Sequence, residues 1–384
     1  MTREEYISRL NECNGLNVIF QLTDRCVLSC RYCFAKGAHN GKPTTFEHQM
    51  LELAIKQSFE TRHDHVVFEW TGGEPLLVGI DFFKKVVKYQ KKYATKPYSN
   101  GLQTSGNLLD TELIDFLIDE NFGISTTIDG TEEIHNQNRP THSGSGSYQM
   151  VQKTREYIRK KGQFCGFIST ITKNNLGHEK EMLDLFRSLE INSFHSNPYV
   201  YYEKNIVKDN SIALSNEDYA RYFIAEFNAW VESGKIKPIP RTVNDIVKCL
   251  KHKQPSHNTI CTFGGRCLTN FIALTPNVDS YNCPKFTGSD NMMLGNITKQ
   301  SIKDLLSTKS NAISKMIDQR VSAINECQNK KCEYFYICNG GCPYHAFIAS
   351  NGNDIKSVDC LCEGKTLLFQ YLESIIEKAG QIDA

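Results

Sequence analysis

Between residues 17 and 200, six short apolar runs alternate with five amphipathic stretches, and this alternation constrains the fold more than any other feature of the chain. The runs are 17–22, 65–70, 99–104, 123–128, 164–171 and 193–200, with the length and the β-branched and aromatic content of strands. Between them, residues 46–60, 80–93, 111–121, 148–161 and 176–189 space their apolar side chains as one face of a helix does. Thr44 with Glu47 three residues later predicts a capping box at the head of the first helix. Strands separated by helices form parallel βαβ units, so an α/β fold is expected, either barrel-like or doubly wound. Both place their active sites at the C-terminal ends of the strands. The most distinctive short sequences fall there: residues 26–33, 72–75, 103–106 and 129–130 follow the first four runs in order.

Charge limits the partners. The chain has 384 residues, with 44 Lys and Arg against 43 Asp and Glu, a net charge of +1. Phosphate backbones demand a cationic surplus, so no nucleic-acid partner is expected. No run reaches the ~18 apolar residues of a membrane span, and residues 1–5 do not open a signal peptide. A cytoplasmic protein without a membrane partner is the expectation. In that reducing compartment 15 cysteines are read as cluster ligands, metal ligands or catalytic thiols rather than disulfides.

The cysteines fall in two groups. Cys26, Cys30 and Cys33 form a C-x3-C-x2-C loop after the first strand. Cys261, Cys267, Cys283, Cys327, Cys332, Cys338, Cys342, Cys360 and Cys362 crowd the last third of the chain. Three thiolates cannot close a tetrahedral zinc site alone, and His39, six residues on, stands at a poor zinc spacing. On a [4Fe–4S] cluster they leave one iron open for a substrate or cofactor. The second group has enough thiolates for two four-cysteine clusters, two zinc sites or one of each, and spacing alone does not separate these.

The motifs, in this order, resemble those of the radical S-adenosylmethionine (SAM) enzymes. Cys26-Val27-Leu28-Ser29-Cys30-Arg31-Tyr32-Cys33-Phe34 matches the family's signature, including the aromatic residue before the last cysteine. Thr71-Gly72-Gly73-Glu74-Pro75 resembles its GGEP segment. Gln103-Thr104-Ser105-Gly106, Thr127-Ile128-Asp129-Gly130 and Arg139 resemble segments that contact the ribose and carboxylate of SAM in relatives. The resemblance implies a partial (β/α)6 TIM-like barrel with a [4Fe–4S] cluster on Cys26, Cys30 and Cys33. It implies SAM contacts from Tyr32, Gly72, Gly73, Glu74, Gln103, Ser105, Thr127, Asp129 and Arg139. The two glycines would let the backbone approach the methionine moiety, and Glu74 would face its ammonium. The chemistry implied is reductive cleavage of SAM to a 5′-deoxyadenosyl radical that takes hydrogen from a substrate. Oxygen sensitivity and an external donor such as flavodoxin or ferredoxin follow.

The C-terminal cysteines resemble the SPASM domain of peptide- and protein-modifying members, which holds two auxiliary [4Fe–4S] clusters. Residues 274–283 resemble its hairpin, and Cys338-Asn339-Gly340-Gly341-Cys342-Pro343 its C-x-G-G-C-P turn. By that pattern Cys261, Cys267, Cys283 and Cys342 hold the first auxiliary cluster. Cys327, Cys332, Cys338 and Cys360 hold the second, with Cys362 a substitute for Cys360. Cys327 and Cys332 are separated by four residues where the family usually has two. The implied organisation is an N-terminal lead (1–16), core barrel (17–210), helical connector (211–258), SPASM domain (259–365) and C-terminal helix (366–384). Cys13, Cys165 and Cys249 are left as small buried residues. Tyr199, Tyr201 and Tyr202 follow the sixth strand and read as packing residues with wet hydroxyls. Residues 143–147 (SGSGS) read as a mobile loop at the mouth.

Across almost the whole chain the resemblance is to anaerobic sulfatase-maturating enzymes, with residues 102–109 especially similar. Those enzymes oxidise a Cys or Ser to formylglycine, and an Asp directly after the third cysteine of the first auxiliary site is their base. Pro284 occupies that place here, and Asp279 is not its equivalent. No catalytic base is therefore assigned. Other members of the architecture modify ribosomally made precursor peptides. Only sixteen residues precede the first strand, so an added peptide-recognition domain is not expected, and leader recognition falls to the core or to a separate protein. Hydrogen abstraction from a precursor peptide, giving a C–C, C–O or thioether cross-link, is the expected reaction. Sulfatase maturation is the alternative, and a non-enzymatic iron–sulfur or zinc regulatory protein is a second one, of another class.

Overall fold

In a computed structural model of the chain, residues 1–35, 44–201, 209–253 and 261–382 are described; His39 and Tyr202 lie outside them. Six parallel strands pair in chain order: β1 (Gly15–Gln21), β2 (His65–Thr71), β3 (Tyr98–Gln103), β4 (Phe122–Thr127), β5 (Gly166–Ile171) and β6 (Ser193–Pro198). Helices His48–Phe59, Ile80–Tyr93, Thr111–Asp119, Tyr148–Lys160 and Glu179–Ser188 cross between them. The predicted order holds, and the parallel sheet is a partial barrel.

The strands sort their side chains by face. Leu16, Val18 and Phe20 of β1 and Val66, Phe68 and Trp70 of β2 are fully buried under the helices. The Phe20 and Trp70 rings stack at 4.5 Å, and Phe83 of a covering helix meets Trp70 edge-on. Each such ring contributes about 1.5–3 kcal/mol on leaving water. Among the alternate positions, Thr71, Gln103, Thr127 and Thr170 are small or polar and line a cavity, with Ile168 beside them. Apolar-out and polar-in is the arrangement of a barrel with a cavity rather than a filled centre.

The predicted capping box does not form. Helix His48–Phe59 starts at Glu47 with no side-chain cap. Thr44 instead donates its amide to Asp24 Oδ1 at 2.7 Å and pins the loop that follows β1.

Four further strands extend the sheet: β7 (Ile239–Pro240), β8 (Phe271–Leu274), β9 (Asp279–Tyr281) and β10 (Met293–Asn296), giving the order β10-β9-β8-β1-β2-β3-β4-β5-β6-β7. β8 lies parallel to β1, with Asn17 opposite Phe271 and Phe20 opposite Leu274. The cysteine-rich region is thus joined to the barrel by a continuous sheet. Nothing in a four-residue apolar strand announces which edge it will choose. The segment expected as a connector also does more than connect. Its helices Asn216–Glu232 and Arg241–His252 pack against helix Cys362–Ile382, and Tyr371 donates to Asn228 at 2.8 Å. The N-terminal helix Arg3–Asn11 packs on helix Asn311–Asn329, and Tyr6 reaches the Gly265 carbonyl at 2.6 Å. Among the described residues, no helix is long and apolar enough to cross a membrane.

Candidate active site

At the C-terminal ends of β2–β6 the inner face opens into a cavity of about 1170 Å³, part of it open to solvent. Cys26, Cys30 and Cys33 line it together. Backbone bonds from two neighbouring loops fix the loop that carries them: Ser29 N to Pro140 O at 2.8 Å, Arg31 N to Asn138 O at 3.0 Å and Glu74 N to Arg25 O at 2.8 Å. His142 in turn binds the Cys26 carbonyl at 2.9 Å. Residues 143–147 lie beside this contact and are tied in by hydrogen bonds. Ser145 N reaches Thr141 Oγ1 at 3.0 Å, and Ser147 Oγ reaches the Arg139 carbonyl at 2.6 Å. Burial pushes the Cys30 thiol up to about 12, against the pull of Arg139. Binding as a thiolate there calls for the positive charge of a metal.

Of the nine expected SAM contacts, seven line this cavity: Tyr32, Gly72, Gly73, Gln103, Ser105, Thr127 and Arg139. The glycines have a second reason to be glycine. Gly72 has φ +133°, and a Cβ on Gly73 would stand 2.1 Å from the Arg25 carbonyl oxygen, so the loop after β2 packs directly on the cysteine loop.

Glu74 and Asp129 stand elsewhere than expected. Glu74 is fully buried; Oε1 accepts from Thr104 Oγ1 at 2.7 Å and Leu76 N at 3.2 Å, and Oε2 from the Ser105 amide at 2.9 Å and the Ser105 hydroxyl. With its oxygens so engaged it clamps the β3 loop rather than facing a ligand. Asp129, also fully buried, accepts from Tyr32 Oη at 2.5 Å and Thr170 N at 2.9 Å. Tyr32 Oη accepts in turn from Arg139 Nη1 at 2.6 Å. Asp129 therefore orients two cavity residues from behind the wall. Burial raises its carboxyl, and Arg139 opposes the rise. Arg139 Nε is buried without a partner, a donor suited to an anionic group such as the carboxylate of SAM.

Sequence reasoning missed one wall. Lys285 and Tyr344, from the cysteine-rich region, close the cavity opposite the strands, with the Lys285 ammonium 5.4 Å from the Tyr344 ring centre. Lys285 sits two residues past Cys283, a signal that was present but had no motif to mark it. Tyr199, expected to have a wet hydroxyl, also lines the cavity, and its buried Oη has no partner. Asp279 binds Asn296 on β10 and is not part of the lining.

The C-terminal thiols form two sets. Cys261, Cys267, Cys283 and Cys342 are mutual electrostatic neighbours. Cys327, Cys332, Cys338 and Cys362 form the other group. Cys362 thus stands where Cys360 was expected. The Asp359 carboxylate accepts from the amides of Leu361 at 2.9 Å and Cys342 at 3.0 Å, which holds the turn so that the Cys360 thiol lies beside His345 and Asp359. Helix Cys362–Ile382, starting just past this turn, carries the Cys362 thiol to the second set.

Spacing bears on which metal fits. Thiolates on one tetrahedral zinc lie about 3.8 Å apart, from Zn–S bonds of ~2.3 Å. Among the described residues neither C-terminal set, nor the N-terminal one, brings three ligand atoms within 4.8 Å of one another. Four-thiolate sets of this kind fit an iron–sulfur cluster and fit zinc by donor type alike. The group that does come so close is His345, Asp359 and Cys360, but Asp359 is already saturated by His345, two amides and Lys365 at 2.7 Å. It is a buried ion-pair network. Burial pushes the Asp359 carboxyl up, and His345 and Lys365 outweigh that and hold it well below the usual carboxylate range. Cys165 and Cys249 are buried, whereas Cys13 is only half-buried and shares a second cleft with Cys261 and Cys267.

Known proteins extend this picture. The signature of the Radical SAM superfamily matches residues 20–186. The cysteine-type anaerobic sulfatase-maturating enzyme of Clostridium perfringens is 27% identical over 83% of this chain and 85% of its own length. The serine-type enzyme of Bacteroides thetaiotaomicron is 24% identical over 90% and 86%. The solved structure of anSMEcpe with bound AdoMet superposes with a TM-score of 0.82 at 24% identity, covering 96% of this chain and 95% of that one. SuiB of Streptococcus suis bound to SAM shares the fold more distantly, with a TM-score of 0.63 at 15% identity over 94% and 80%. These likenesses set aside the regulatory-protein alternative. With its signature loop at the mouth of a parallel barrel, the chain carries a radical SAM domain over residues 20–186 and is similar over most of its length to enzymes built on that domain.

Proposed function

We propose that the enzyme oxidises a residue of a peptide or protein substrate, beginning with hydrogen abstraction. In this reading Cys26, Cys30 and Cys33 hold the catalytic [4Fe–4S] cluster. Cys261, Cys267, Cys283 and Cys342 hold a first auxiliary cluster, and Cys327, Cys332, Cys338 and Cys362 a second. The observation that carries it is the shared cavity, with the cysteine loop on one wall and Lys285 and Tyr344, next to the first auxiliary set, on another. SAM with its cluster, reduced by a flavodoxin- or ferredoxin-type donor, supplies a 5′-deoxyadenosyl radical. The chain supplies position. Arg139 offers its free Nε to a carboxylate, while Asp129 and Tyr32 hold that guanidinium in place. Gln103, tied to Thr127 at 3.2 Å, presents a polar face to whatever lies above it.

Two products come into question. The relatives' names favour maturation of a sulfatase. The cavity favours an oxidative cross-link in a precursor peptide, because no carboxylate lines it among the described residues and Pro284 stands where a base would. Both products release a proton with the second electron, so the preference rests on place: beside the first auxiliary set, where maturation would need the acceptor, Pro284 can take none. Anaerobic reconstituted enzyme, given a sulfatase-type Cys or Ser peptide and peptides encoded beside its gene, separates the two by product mass. An aldehyde captured by a hydrazine selects maturation; loss of two hydrogens without an aldehyde selects the cross-link. If Cys30→Ala still formed 5′-deoxyadenosine, the cluster assignment would be wrong.

A further inference from the structure

Lys285 lines the cavity, and among the described residues no carboxylate pairs with it. Its neighbours in the lining include a second cation, Arg139, and no carboxylate among the described residues. Arg139 has its own counter-charge behind the wall, since Asp129 binds Tyr32 and Tyr32 binds Arg139. Lys285 has none: among the described residues no carboxylate lies within ion-pair distance of it, while Lys91, Lys92, Lys161 and Lys365 are all paired at 2.7–2.9 Å. What it has is the Tyr344 ring, which flanks the ammonium and supports a cation without neutralising it. In the same cavity lining, just past β6, the Tyr199 hydroxyl is buried, 6% exposed as a residue, and has no hydrogen-bond partner. A buried donor of that kind costs free energy until an acceptor arrives. Among the described residues the cavity lining therefore holds no carboxylate, and it has a spare donor in Tyr199, whose ring lies 6.0 Å from that of Tyr32.

We propose that Lys285 is a specificity-determining residue that selects peptide substrates carrying an Asp or Glu side chain beside the residue to be oxidised. The inference rests on the peptide-oxidation reading above and adds its charge requirement. An ammonium fixed on the short turn Pro284–Phe286, rather than on a long loop, keeps its place as a substrate enters.

The competing explanation is that Lys285 only offsets the negative charge of the neighbouring thiolates, to which it is electrostatically coupled. Selection from a random peptide library on anaerobic, SAM-loaded holoenzyme separates the two. Wild type should enrich Asp and Glu about fivefold over the input, the size of a partly exposed ion pair. Lys285→Arg should keep that enrichment, Lys285→Gln should lose it, and Lys285→Glu should enrich Lys and Arg instead. Iron content matching wild type certifies that each variant is folded and loaded. Pools of equal charge from wild type and Lys285→Glu would overturn the proposal, as would a shifted auxiliary-cluster potential in Lys285→Gln with its pool unchanged. A wild type that enriches no peptide at all counts against the peptide reading itself, which is a different failure.

Discussion

The two cysteine regions use one residue type for opposite ends. The N-terminal loop brings three thiols to the edge of a cavity and leaves its remaining side to open space. The C-terminal region gathers four thiols in each of two places, with amides and a buried ion-pair network packed between them. An incomplete thiol set with room beside it invites a ligand, whereas a complete one excludes it.

That contrast can be broken in several places. The largest effect is expected at the open site: Cys30→Ala should lower 5′-deoxyadenosine formation by about three orders of magnitude or more, read by chromatography. Cys327→Ala should spare SAM cleavage, remove about four irons per chain and halt substrate oxidation. A finer test lies in the neighbouring pair. Cys362→Ala should lose the iron and the electron paramagnetic resonance signal of the second set, while Cys360→Ala keeps both. The reverse result would return the ligand role to Cys360.

Smaller effects concern stability. Asp359→Asn leaves Lys365 buried without its counter-charge and His345 without its acceptor, and should destabilise the fold by about 3 kcal/mol or more in thermal unfolding. His135 lies on the other side of the contrast, under the open site. Burial, helped by Arg139, lowers it from 6.5 to about 3, and it stays neutral between the Asp129 amide at 3.3 Å and Ser147 at 3.0 Å. The unfolded chain takes up that proton first, so this stability is complete above about pH 6.5 and is lost as pH falls toward the folded value. The slope approaches ~1.4 kcal/mol per pH unit. Melting temperatures should fall between pH 7.5 and 5.5, and His135→Gln, less stable at the outset, should show a shallower fall. The smallest effect belongs to a thiol outside both sets. Cys165→Ala loses a 3.5 Å contact to Thr126 and a 3.7 Å one to the Gly166 carbonyl, and should cost less than about 1 kcal/mol with iron unchanged.

The barrel was legible because its signal is periodic. Strand and helix patterns alternate over long enough windows that every expected segment lies within three residues of an observed one. The cavity's strand-side wall was legible because its residues follow strands directly. What stayed hidden depends on contacts remote in sequence. The docking of β8 on β1 joins residues some 250 positions apart, and no local pattern encodes it. Glu74 and Asp129 belong to the right motifs, yet which way a carboxylate turns depends on Thr104, Ser105 and Tyr32, contributed by other loops. Lys285 and Cys362 were obscured for a related reason. Spacing places a cysteine on the chain, but a turn anchored by Asp359 decides where its sulfur lies.

The parallel pairing of β8 with β1 also governs the order in which the molecule can be made. A ribosome releases β1 and its cysteine loop roughly 250 residues before the strand that covers β1's outer edge. During that interval the edge is an unpaired row of amides and carbonyls, a template for any passing strand. Closing it requires a long-range contact, the slow kind in folding. Truncations that stop before residue 271 therefore expose β1, and aggregation should begin at that strand.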